Sequence, residues 1–130
     1  MREVLNDYLA RVRRYVPCNE LELREGKGVE AAMRAAIPQQ AYVVALEVDG
    51  TQMTSEQLSA LVAARGSEHK GEVAFLIGGA DGLPTAISRA ADMRLSMSRM
   101  TMAHRVARVV LAEQLYRAVS IWKGEPYHRA

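Results

Sequence analysis

The chain ends in Gly124-Glu125-Pro126-Tyr127-His128-Arg129-Ala130. Three adjacent side chains there carry chemistry. His128 is a general-base candidate by type, since an unperturbed imidazole changes charge near neutral pH. The guanidinium of Arg129 can stabilise a developing negative charge, and the ring of Tyr127 can stack on a flat group. Protein tails usually fray. This one places a rigid proline and an aromatic after a long helix, Val106 to Trp122, that is apolar on one face. That combination predicts a tail pinned into a site; the alternative is a chance cluster on a solvated end.

Two further segments invite a ligand. Gly78-Gly79-Ala80-Asp81-Gly82 follows an apolar run and lets backbone approach a ligand closely. Its spacing is not G-x-G-x-x-G, and no Lys-Ser/Thr follows, so neither a dinucleotide fingerprint nor a P-loop is present. A plain strand-to-helix turn is the other reading. Met93, Met97, Met100 and Met102 crowd one stretch. Methionine adapts to flat ligands, and it also fills irregular cores. Cys18 is the only cysteine, which excludes an intrachain disulfide and fits a reducing compartment. No motif surrounds it. His69, His104 and His128 lack Cys/His partners at ligand spacing, so no zinc site is expected.

The elements that must position these residues follow from periodicity. Val4, Leu5, Tyr8, Leu9 and Val12 mark a helix to Arg14, ended by Pro17. Leu21-Glu22-Leu23 alternates as a short strand. A small helix over Val29 to Ala36 opens at Gly28 and stops before Pro38. Ala41 to Leu46 reads as a strand covered on both faces. Thr54-Ser55-Glu56-Gln57 is a capping box. Its helix runs to Arg65, where Gly66 is expected at the left-handed cap. Glu72 to Ile77 is a second buried strand, Pro84 opens a helix to about Ala91, and Leu95-Ser96-Met97 is a last strand. Strands alternating with helices predict a parallel α/β sheet. Its ligands bind at the carboxyl ends of the strands, which selects Leu46–Gly50, Gly78–Gly82 and Met97–His104.

At 130 residues the chain is one domain with room for a core. It has no apolar run of membrane-spanning length and no secretory leader pattern, so a cytoplasmic location is expected. The formal net charge of +2 hides an asymmetry. Residues 1–85 carry 9 Lys/Arg and 12 Asp/Glu, a balance of −3, while residues 86–130 carry 8 and 3, a balance of +5. A local basic field favours a polyanion such as RNA. Solvated helix faces, with Glu113 and Arg117 as an i,i+4 pair, are the alternative.

Taken together, Leu76-Ile77-Gly78-Gly79-Ala80-Asp81-Gly82, Leu95 to His104, Arg108 to Ala118 and Pro126-Tyr127-His128-Arg129 resemble the RlmH-type enzymes. These are bacterial SPOUT-superfamily methyltransferases acting on a pseudouridine of large-subunit ribosomal RNA. The resemblance implies an α/β domain, a SPOUT-type parallel sheet flanked by helices with a C-terminal trefoil knot. It implies a homodimer and S-adenosyl-L-methionine held bent in the knot. It places the cofactor site at Leu46, Gly78, Met97, Ser98, Arg99, Met100, Thr101 and Met102, with methionine in the family's leucine positions at 97, 100 and 102. The tail would lie near the substrate base and the other protomer. Three departures stand out: Ala103 precedes His104 where the family usually has proline, Val119 replaces a usual tryptophan, and the family's first strand has no counterpart before the first helix.

The implied reaction is transfer of a methyl group to N3 of a pseudouridine in 23S rRNA, with ribosomal RNA, in assembled ribosomes, as partner and no metal. His128 is then the base, Arg129 the stabiliser of the anionic acceptor, and Tyr127 a stacking platform. His104 is an alternative base or a brace of its loop. Arg89, Arg105 and Arg108 are expected phosphate contacts. Two other readings stay open: a non-catalytic RNA-binding remnant, and a SPOUT methyltransferase acting on another RNA such as tRNA.

Overall fold

A computed structural model describes residues 1–66 and 71–129 of the chain; His69 and Ala130 lie outside them. Helix α1 (Arg2–Arg13) precedes α2 (Val29–Ala36), β1 (Tyr42–Gln52), α3 (Ser55–Gly66), β2 (Val73–Leu76), α4 (Thr85–Ala90), β3 (Met93–Ser96) and α5 (His104–Trp122). A 3-10 turn, Pro126–Arg129, closes the chain. The three strands form a parallel sheet in the order β2-β1-β3.

The central strand is where the sequence is most β-prone, and for a physical reason. Successive side chains of a strand point to opposite faces. Val44 and Ala45 are adjacent and both 0% exposed, so both faces of β1 are covered. Ala45 packs with Met33 of α2, Ile87 of α4, Leu76 and Leu83. A second cluster, Leu5, Leu9 and Ala112 with Tyr8, Cys18 and Val109 around it, joins α1 to α5. Helix α3 packs on α5 as well, where the Ser59 hydroxyl donates to the Ala118 carbonyl at 2.7 Å. The capping box at the start of α3 is formed: Gln57 N–H donates to Thr54 Oγ1 at 3.0 Å, and Thr54 N–H to Gln57 Oε1 at 2.8 Å.

The structure corrects several expectations. Leu21-Glu22-Leu23 is not a strand. Its alternation is real, since Leu21 is exposed and Leu23 packs on the Ala45 cluster. A strand also needs a neighbour for its backbone groups, and none pairs with this segment among the described residues. Gly66 is the last residue of α3 instead of a left-handed cap. Its missing side chain admits Trp122, whose Cη2 would lie 2.7 Å from a Cβ there. Strand β1 runs six residues past Leu46, because the chain bulges and re-pairs: Leu46 and then Thr51 both face Leu95. Strand β3 ends at Ser96, so Met97 already belongs to the loop.

Candidate active site

Parallel pairing brings the three candidate segments to one edge of the sheet. Ala45 pairs with Leu76 and Leu46 with Leu95. Gly78 therefore follows β2 two residues beyond Leu76, which is level with Ala45, and Met97 follows β3 two residues beyond Leu95, which is level with Leu46. Leu46, Gly78 and the Met97–Met102 loop share the carboxyl edge, as ligand sites of parallel sheets do.

Each segment is braced. In the glycine turn, Gly82 N–H donates to the Gly79 carbonyl at 3.0 Å, and Ala80 N–H donates to Glu25 Oε1 at 2.7 Å. A Cβ on Gly78 would collide with the backbone of Gly82 and Leu83, and one on Gly79 with the Glu25 carboxylate. At Gly78 the obstacle is backbone, so only glycine fits there. In the second loop, Ser96 Oγ donates to the Ser98 carbonyl at 3.1 Å, and Met100 N–H donates to Ser98 Oγ at 3.0 Å. The methionines are not core filler: Met93, Met97 and Met102 are half-buried and Met100 is 78% exposed. Arg99 and Thr101 are exposed and His104 is half-buried at the start of α5. Polar backbone and mobile apolar side chains on one edge suit a ligand with both a flat ring and polar groups.

The tail is pinned, as its composition predicts. Helix α5 ends in a Schellman arrangement: Gly124 sits at φ +75°, and Glu125 N–H donates to the Ser120 carbonyl at 2.8 Å and Gly124 N–H to the Ile121 carbonyl at 3.2 Å. The chain then folds back on α5. Tyr127 Oη donates to Glu113 Oε2 at 3.0 Å, its ring lies 4.4 Å from that of Tyr116, and Arg117 stands 5.1 Å over its face. Burial above all, then hydrogen bonding with Tyr8 and Glu113, pushes the Tyr127 phenol well above its ordinary pKa. It stays protonated near neutrality and acts as a donor, not a base. His128 and Arg129 continue the same 3-10 turn.

The cations divide into two groups. Arg108 Nη2 lies 2.6 Å from Glu20 Oε2 and its Nη1 lies 3.2 Å from Glu22 Oε1, so this expected phosphate contact is engaged inside the chain. Arg117 is paired with Glu113 at 2.6 Å. Arg89, Arg99 and Arg105 are exposed and make no ion pair among the described residues. Val119, in the position of the family's tryptophan, is 1% exposed and fills the core. A shallow cleft of about 410 Å³ opens elsewhere, between Asp49–Thr51 and Ala91–Arg94. It takes in Asp49 and Gly50 from the Leu46–Gly50 strand end, but none of Leu46, Gly78 or Met97–Met102. No group of three metal-ligating side chains occurs among the described residues, and no described helix is long and apolar enough to cross a membrane.

Sequence reasoning missed two acidic residues. Glu25 clamps the glycine turn from 55 positions away, a contact with no local signal. Glu113 shows in the sequence only as an i,i+4 partner of Arg117, yet it also receives the tail.

Comparison with known proteins agrees with this geometry. A family described as predicted SPOUT methyltransferase matches residues 1–128. A Sorangium cellulosum protein named Ribosomal RNA large subunit methyltransferase H is 49% identical over 128 residues, 98% of this chain and 88% of that one. Proteins of the same name from Dinoroseobacter shibae and Geobacter metallireducens are 42% and 39% identical over 139 residues, spanning 98% and 100% of this chain and 89% and 90% of theirs. The parallel sheet, its braced edge and its folded-back tail are those of a chain that belongs to the SPOUT methyltransferase family.

Proposed function

We propose that this protein methylates N3 of a pseudouridine in the 23S RNA of the large ribosomal subunit, using S-adenosyl-L-methionine and working as a homodimer in the cytoplasm. The observation that carries the reading is the similarity over nearly the whole chain to relatives named for large-subunit ribosomal RNA methylation. It extends through His128 of the tail.

The residues at the sheet edge fit the cofactor. A turn that excludes even a Cβ at Gly78 presents bare backbone, and exposed Met100 with half-buried Met97 and Met102 offers an apolar wall for adenine. Leu46, Gly78 and Met97 to Met102, Ser98, Arg99 and Thr101 included, would hold it, the last loop lying in the trefoil knot that the family resemblance implies. When bound, the cofactor would supply a methyl group activated on a sulfonium, whose neutral thioether is the leaving group, chemistry that needs no metal. The protein's part is alignment, worth about 7–11 kcal/mol when reacting atoms are held in register.

The acceptor nitrogen carries a proton at neutral pH, so it needs a base. His128 takes that proton and Arg129 stabilises the resulting anion. Tyr127, kept protonated and hydrogen-bonded to Glu113, orients both. Its ring, already against Tyr116, is better placed to anchor the tail than to stack on a base. Arg89 and Arg105, with no carboxylate partner, contact phosphates, and His104 braces the loop between them. Arg108 contributes less, since Glu20 and Glu22 already neutralise it. The tail of one protomer serves the cofactor edge of its partner.

The test is transfer of labelled methyl groups to ribosomes from a strain lacking the modification, followed by mass spectrometry of the nucleosides. One methyl on a pseudouridine of 23S RNA is expected. Saturable binding of S-adenosylhomocysteine without any transfer to ribosomes would overturn the reading in favour of a binding remnant or another RNA, and transfer to tRNA would identify the latter.

A further inference from the structure

We propose that Glu113 is the positioning residue of the tail: its carboxylate fixes Tyr127, and through it the neighbouring His128 and Arg129, against α5. This rests on the methyltransferase reading and adds to it a residue that touches neither cofactor nor RNA.

Glu113 accepts four hydrogen bonds. Oε2 receives Arg117 Nε at 3.1 Å, Arg117 Nη2 at 2.6 Å and Tyr127 Oη at 3.0 Å. Oε1 receives Gln114 Nε2 at 3.0 Å. The chain of bonds continues, because Gln114 Oε1 accepts from Ser55 Oγ at 2.7 Å. Ser55 opens α3, directly after the strand whose residue Leu46 belongs to the expected cofactor site. A continuous path of side chains thus joins the start of α3 to the last turn of the protein.

A simple i,i+4 ion pair would not need this arrangement. Arg117 alone satisfies such a pair. The carboxylate instead uses both oxygens, and the one that holds Arg117 also receives a residue 14 positions away. Beyond the Schellman bonds at Gly124 and Glu125, Tyr127 makes the side-chain hydrogen bond that ties the tail to α5 among the described residues. Glu113 is 20% exposed, so water competes weakly for it. The peptide link between Tyr127 and His128 makes the phenol a short lever: losing its anchor loosens the 3-10 turn whose backbone carries His128 and Arg129. Misplacement by about an ångström can cost as much as 10²-fold in rate.

The experiment compares wild type with Glu113→Ala, Tyr127→Phe, the double variant and Glu113→Gln. The turnover number on unmethylated ribosomes, KM for the methyl donor, calorimetric affinity for S-adenosylhomocysteine and trypsin cleavage after Lys123 are read for each. Glu113→Ala should lower turnover about tenfold or more, leave cofactor affinity within about twofold, and speed release of the tail peptide. Tyr127→Phe also loses the hydrogen bond with Tyr8, but the two residues share the Glu113–Tyr127 contact, so the double variant should lose clearly less than the sum of the two single losses. Glu113→Gln, whose amide oxygen still accepts from the phenol, should recover most of the rate. Wild-type turnover in Glu113→Ala, additive losses in the double variant, or unchanged tail cleavage would overturn the proposal. If the wild type methylates no ribosomal RNA, the functional reading fails, and faster tail cleavage in Glu113→Ala would still uphold the anchor while unchanged cleavage would sink it.

Discussion

Arg108 lies in the basic third of the chain, yet the structure makes it a tie between α5 and the Cys18–Glu22 segment, and that distinction is measurable. Replacing it with methionine keeps the aliphatic stem and removes the charge. Glu20 is held by Arg108 at 2.6 Å and by Arg2 at 2.8 Å, with side-chain exposures of 23% for Glu20 and 19% for Arg108. A hydrogen bond to a charged partner contributes about 1.5–3 kcal/mol, whereas an exposed ion pair contributes about 0–1. A pair one-fifth accessible falls between, so Arg108→Met should cost about 1–2 kcal/mol. For a domain of this size that is a fall in Tm of roughly 3–10 °C. Burial by itself would raise the Glu20 pKa, but hydrogen bonds from Arg108 and Arg2 outweigh it and hold the carboxylate below its ordinary value. A depressed folded pKa means stability that is complete above the unfolded value of about 4.3 and is lost as pH falls through the folded one. Urea unfolding should therefore show the full gap between wild type and variant at pH 7, closing toward pH 3. The same variant should leave the salt slope of RNA binding unchanged. A gap of equal size at both pH values, no loss at pH 7, or a slope reduced by about one would each overturn this assignment.

Gly78→Val should reduce S-adenosylhomocysteine affinity more than tenfold, since its Cβ meets the Gly82 and Leu83 backbone; calorimetry alongside far-UV circular dichroism separates this from unfolding. His128→Ala should lower turnover by about 10²–10⁴-fold with cofactor affinity retained, and equal turnover in single-turnover assays would refute its role as base. Arg89→Ala and Arg105→Ala should each reduce the slope of log K against log salt by about 0.7–0.9, measured by filter binding over a salt series. Burial, the leading cause, pushes the Cys18 thiol above its ordinary pKa despite nearby Arg13, so alkylation should be slow in the folded protein and fast in urea.

What the sequence disclosed depended on how far each signal reaches. The run from Ala41 to Leu46 announced the central strand because burial on both faces removes polar residues from every position. The capping box at Thr54 and Gln57 was readable because its partners lie three residues apart. Pairing across the fold left no such trace. The alternation at Leu21 and Leu23 describes which side faces inward but not whether a neighbour exists to accept backbone bonds. Gly66 carries the same letter whether it caps a helix or clears space for Trp122, and only the packing of α3 on α5 decides which.

The site follows the same division. The glycine turn, the methionine loop and the tail could be picked out as candidates because each packs its chemistry-bearing residues into fewer than a dozen positions. Their braces were not, since Glu25 and Glu113 act on residues 55 and 14 positions away. Charge shows most sharply why this matters. A count of the last third gives a surplus of five positive charges over residues 86–130, but a count treats every arginine alike. Folding binds Arg108 and Arg117 to carboxylates and leaves Arg89, Arg99 and Arg105 exposed. A phosphate approaching the first pair must displace a carboxylate held at 2.6 Å, and one approaching the others displaces only water. The exposed positive charge is therefore smaller than the composition suggests; it includes Arg89 of α4, Arg94 of β3, Arg99 of the methionine loop, Arg105 in the first turn of α5, and Lys123. Arg99 and Arg105 border the carboxyl edge of the sheet, so under the proposed function they lie where an RNA backbone would pass to bring its base to the methyl donor.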